Sequence, residues 1–144
     1  MKALLFLVAI CFVSVSFAND EATVQKLKEV QPEQFIISES NTTRKVEKRV
    51  HEVISTLDKA AAKAVKNKAA PASEFFEELL RVAVLTFDVD PSMIAVEVIA
   101  PVYKKYPKQW DAAAKNLSKE NQKILSEALQ DISREESQGN DPGF

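Results

Sequence analysis

Apolar and polar positions along the chain alternate with the period of helices. Between about Thr42 and Lys68 the apolar residues are Val46, Val50, Val53, Ile54, Leu57, Ala61, Ala64 and Val65. Their separations of 4, 3, 1, 3, 4, 3 and 1 trace one face of a helix, whose period is about 3.6 residues. Asn41 is placed to cap its start and Pro71 to end it. Upstream, Val24, Leu27 and Val30 mark a short helix that Pro32 interrupts. Pro32-Glu33-Gln34 suits another helical turn, whereas Phe35-Ile36-Ile37 reads equally well as extended chain.

Downstream, Ser73 is placed to cap a helix opening with Glu74, Glu77 and Glu78, acids favoured by the helix dipole. That helix continues through Leu79, Leu80, Ala83, Val84 and Phe87. Asp90 reads as the next cap and Pro91 as the first helical residue, with Ile94, Val98, Ile99, Val102 and Tyr106 as the apolar face. Pro101 inside this helix has no N–H for the carbonyl of Glu97, which predicts a kink or a split. Residues 74–106 therefore read as a helical hairpin. The β-branched runs 81–89 and 94–99 also permit an alternative, a short β-hairpin over 81–99 turning at Asp90-Pro91-Ser92. A short helix over 110–117 follows. Ser118 then caps a last one through Ile124, Leu125, Ala128, Leu129 and Ile132. The expected fold is a small all-α bundle of five to six helices, or an α+β domain if the 81–99 hairpin forms. Residues 19–136 make one domain and 137–144 a disordered tail.

Glycine usage supports the helical reading. Of 144 residues only Gly139 and Gly143 are glycine. Phosphate-binding loops, the dinucleotide fingerprint and the nucleophile elbow all need glycine's backbone freedom, and tight β-turns favour it. The first eighteen residues form a different pattern. Lys2 precedes an unbroken apolar run from Ala3 to Val13, and Ser16 and Ala18 supply the small residues of a cleavage site. This is the pattern of a cleaved secretory signal, too short to span a membrane. The expected location is extracellular, or periplasmic in a bacterium. Cys11 is the sole cysteine and lies within this segment, so the remaining chain has neither a disulfide nor a thiolate ligand. In a eukaryotic source, Asn41-Thr42-Thr43 and Asn116-Leu117-Ser118 are possible N-glycosylation sites.

Charge is segregated along the chain. Residues 42–68 hold eight bases (Arg44, Lys45, Lys48, Arg49, Lys59, Lys63, Lys66, Lys68) against Glu47, Glu52 and Asp58. Residues 73–144 are net acidic. A basic amphipathic helix suits an anionic surface, yet its apolar face carries little beyond valine and Leu57, and no aromatic interleaves the bases. Neither stable membrane insertion nor nucleic-acid binding is expected.

Few residues carry chemistry. His51 is the chain's one histidine, and His51-Glu52-Val53-Ile54-Ser55 begins like a zinc-protease motif but lacks the second ligand. Asp88-Val89-Asp90-Pro91-Ser92 begins like a calcium loop, but Met93 stands where glycine is needed and Ile99 where the bidentate acid belongs. No catalytic set, metal site or cofactor site is expected. The aromatics are more informative: Phe75, Phe76, Phe87, Tyr103, Tyr106 and Trp110 fall within 36 residues and would suit the wall of an apolar ligand site. In this general sense the chain resembles the small secreted helical lipid carriers of nematodes, and Leu117-Ser118-Lys119-Glu120 is similar to a helix start that recurs there. The likeness covers about twenty residues and assigns no site. The expected function is a non-enzymatic carrier of an apolar small molecule or lipid. The alternative is a protein–protein interaction module, acting as an effector, structural component or inhibitor of an unidentified protein.

Overall fold

A computed structural model describes residues 21–139, whose regular structure is all helical, with no strand among them. Helix α1 covers residues 21–28. A single 3-10 turn, Pro32–Phe35, leads into α2 (Thr43–Lys66), α3 (Ser73–Leu85), α4 (Ile94–Lys105), α5 (Pro107–Ala114) and α6 (Lys119–Gly139). The expected signal segment lies outside the described residues.

Helix α2 is the organising element. Its stripe of Val46, Val50, Val53, Leu57, Ala60, Ala61 and Ala64 is buried, and each of the larger side chains contributes about 1.5–3 kcal/mol by leaving water. Helix α4 lies chiefly along α2, while α3 packs on α5. Alanines 60, 61 and 64 on α2 and alanines 95 and 100 on α4 keep both buried faces low, which permits close approach. Further core side chains come from α1 (Val24, Leu27), the following turn (Val30, Phe35), α3 (Phe75, Phe76, Leu79, Leu80, Val82), α4 (Val96, Ile99, Val102), α5 (Trp110) and α6 (Leu125).

Ser118 Oγ accepts the Asn121 N–H (3.2 Å) at the start of α6, while the ends of α1 and α2 are tied from neighbouring elements. The last carbonyls of α2 lack intrahelical donors, and the end of α4 supplies them. The Tyr106 hydroxyl lies 3.2 Å from the carbonyls of Ala64 and Asn67, and Lys105 Nζ donates to Val65 and Asn67. In the same way Arg81 on α3 donates to the carbonyls of Leu27 (2.9 Å) and Val30 (3.0 Å), closing the end of α1. Lys28 pairs with Glu74, and that hydrogen bond holds its ammonium above the ordinary lysine range. While Glu74 is ionised, the pair's contribution is therefore present below the ordinary lysine range and is lost as pH rises through the raised one.

Several boundaries differ from the sequence reading. Residues 81–85 and 94–99 are helical, so no β-hairpin forms over 81–99. Helix α4 does not begin at Pro91. Asp90 to Met93 form a turn closed by the Met93 N–H on the Asp90 carbonyl (3.1 Å), with Met93 left-handed at φ 53°. Asn41 does not cap α2. Thr42 occupies that place, and the Asn41 amide donates instead to the carbonyls of Ile36 (2.8 Å) and Gln34 (3.3 Å), bracing the loop. Residues 137–139, expected in the tail, belong to the last turn of α6.

Pro101 does not split α4, which runs unbroken to Lys105 with Pro101 and Glu97 exposed. The helix thus carries a missing hydrogen bond that no packing offsets. Pro101→Ala is expected to stabilise the fold by about 2–2.6 kcal/mol. This is the interior penalty of proline less the entropy it removes from the unfolded chain. Urea unfolding checks this; a lower midpoint would overturn it.

Candidate functional site

The six aromatics separate into two groups. Phe75 and Phe76 meet edge to face with centroids 5.5 Å apart, and Phe76 meets Tyr106 likewise at 5.9 Å. These three, with Phe87, are buried in the core, and in this arrangement they hold the fold together. The second group is Tyr103, half-buried, and Trp110, which is itself buried in the core at 2% exposure; their rings sit 5.5 Å apart. The break between α4 and α5 at Tyr106-Pro107 turns the end of one helix toward the start of the next and brings them together.

Tyr103 and Trp110 line an open groove of about 710 Å³, a volume in the range of small-molecule sites. Ala114 on α5 and Leu125 and Leu129 on α6 complete the apolar lining, while Asp111, Lys115, Gln122, Gln130 and Arg134 stand around it. Among the described residues of α6 only Leu125 is fully buried. Ile124, Ala128, Leu129 and Ile132 are half-buried against the core. A helix of 21 residues therefore rests on the bundle along a narrow seam. On its other side a second hollow of about 490 Å³ runs along α4, with Glu97, Asp131, Glu135 and Glu136 giving it an acidic wall. Lys104 and Glu136 pair across the helices at its end.

Sequence reasoning nominated Tyr103 and Trp110 but missed Ala114, Leu125 and Leu129. The available signal was the apolar face of α6, too sparse for a core helix and too regular for a solvated one. Phe75, Phe76, Phe87 and Tyr106 were nominated as ligand residues, and the structure places them in the core, away from this groove.

The remaining motifs are structural or exposed. His51 is exposed on α2. Asp90 is buried and its carboxylate accepts the Ala95 N–H (3.4 Å), while Asp88 faces solvent. No cluster of His, Cys, Asp or Glu among the described residues is arranged to hold a metal ion. No helix among them is long and apolar enough to cross a membrane. The two sequons differ: Asn116 is exposed in the turn after α5 and its amide donates to the exposed Glu77 carboxylate (3.4 Å), whereas a glycan on Asn41 would replace one of the two amide hydrogens that face the carbonyls of Ile36 and Gln34.

No protein-family model, curated protein or solved structure matches this chain.

Proposed function

We propose that this chain is a secreted, non-enzymatic carrier of an apolar small molecule or lipid, held between α5 and α6. The observation that supports the reading is the Tyr103–Trp110 pair lying beneath a helix that buries only Leu125. An apolar groove of this size, floored by aromatic rings and rimmed by polar side chains, has the composition of a ligand site. The half-buried stripe on α6 gives a ligand further apolar surface to cover. Trp110 is the chain's only tryptophan, so tryptophan emission comes from a single buried ring that also lines this groove.

Native mass spectrometry of residues 19–144, secreted from a eukaryotic host, tests the reading. The expected result is an excess mass on the order of a few hundred daltons, the size such a groove accepts, lost on denaturation. Its loss should also shift the Trp110 emission. A bare mass under both conditions, with Trp110 emission unmoved by apolar ligands, would overturn the carrier reading. It would favour the second reading, an interaction module, for which Ile36 and Ile37 offer a small apolar contact at 60% and 56% exposure.

A further inference from the structure

The strongly basic α2 plays no part in the groove. On a helix advancing about 100° per residue, Arg44, Lys45, Lys48, Lys59, Lys63 and Lys66 fall within roughly 100° of arc, on the side away from the core. Five of the six are exposed and Lys63 is half-buried. Glu47 and Asp58 lie on the opposite flank of this arc. Glu52 is the acid within it, and it is tied to Arg49 at 3.2 Å. The stripe runs about 33 Å at 1.5 Å rise per residue. Near its C-terminal half the surface is concave: Lys59 and Lys63 of α2, with Lys26 of α1, line a hollow of about 270 Å³ that Thr23 and Thr56 complete. Lys63 Nζ reaches the Thr23 hydroxyl at 3.4 Å.

From this geometry we infer that the outer face of α2 binds a linear, hydrophilic polyanion of the sulfated-polysaccharide class, one sulfate seating beside Lys26 and Lys59 at the hollow. The chemistry of the stripe selects this partner. An anionic membrane would be met by an apolar wedge among the bases, and the exposed large apolar residues, Ile36, Ile37 and Ile94, all lie off the helix. A single-stranded nucleic acid would be met by aromatics on which bases stack, and α2 has none. A row of amines and hydroxyls without either feature complements a chain whose charges are carried on sugars. Binding rests on releasing counterions from that chain, so it weakens steeply with salt.

The test uses the full secreted chain and a heparin octasaccharide, titrated by calorimetry at several salt concentrations. Binding is expected at low salt, with affinity falling steeply toward ~0.15 M ionic strength. The variant Lys59→Gln/Lys63→Gln/Lys66→Gln should bind roughly tenfold or more weakly, with a shallower salt dependence. The control Lys108→Gln/Lys119→Gln/Lys123→Gln removes equal charge from exposed positions elsewhere and should bind like the parent chain. Circular dichroism confirms that both variants are folded. Equal loss in the two variants would overturn the site, because net charge alone would then account for binding. Absence of binding to heparin at low salt would overturn it as well. So would tighter binding to a single-stranded oligonucleotide or to phosphatidylglycerol vesicles than to heparin.

Discussion

Phe76→Ala is expected to lower the unfolding free energy by about 3–5 kcal/mol, the range for removing a large aromatic from a packed core. Phe76 is fully buried and is the ring shared by both edge contacts, touching Phe75 on its own helix and Tyr106 beyond α4. Truncation leaves a cavity that neighbours fill only in part, because α3 and α4 are held at both ends by other packing. It also frees Tyr106, whose hydroxyl bonds the carbonyls at the end of α2. The loss therefore reaches a second helix terminus. Domains of this size have about 5–15 kcal/mol in total, so the variant should unfold at far lower urea with an unchanged slope. A loss below about 1 kcal/mol would mean that the three rings are not a shared packing unit. The matching change Phe87→Ala, at a residue still 8% exposed, should cost less.

How much of this was legible in the sequence depends on how many signals each element carries. Helix α2 was legible because eight apolar positions keep one phase over twenty residues, which no strand can do. The start of α4 was not, because Asp90-Pro91 carries the chemistry of a helix start while the chain uses it as a turn. The left-handed Met93 that delays the helix has no composition signal, since left-handed residues are usually glycine or asparagine. Asn41 misled for a related reason: the amide that suits a cap is taken up by the carbonyls of Gln34 and Ile36. The strand alternative at 81–99 arose because a helix buried over a broad face reads as a continuous apolar run. Leu79, Leu80, Val82 and Ala83 are all buried, and period is lost when nearly every position is apolar. The site was half legible. Aromatic content pointed to Tyr103 and Trp110, but burial depends on which helix face each ring occupies. Nothing local separates Tyr106, packed under α2, from Tyr103 three residues earlier, which faces the groove.

The weak seat of α6 leads to the second large expectation. Leu125→Ala should release α6 from the bundle, at a cost of about 2–4 kcal/mol for a fully buried leucine. Because Leu125 alone among the residues of α6 is fully buried, that cost falls on docking of one helix and not on the whole domain. Local opening of this kind has its own free energy, below that of global unfolding. Amide hydrogen exchange should then show protection falling across 119–139, while amides of α2 and α4 keep their parental rates. The Lys104–Glu136 pair cannot hold the helix in place of Leu125, since both partners are about half exposed and such pairs contribute roughly 0–1 kcal/mol. Uniform loss of protection throughout the chain would show that α6 is integral to the fold, and the groove would then be a fixed surface. Selective loss, with less co-purified ligand mass, would make α6 both one wall of the groove and its movable part. The same sparse stripe that makes the helix a poor core element leaves apolar surface for a ligand to cover. A bound ligand should therefore restore part of the protection that Leu125→Ala removes, because whatever binds the docked state alone stabilises it by mass action.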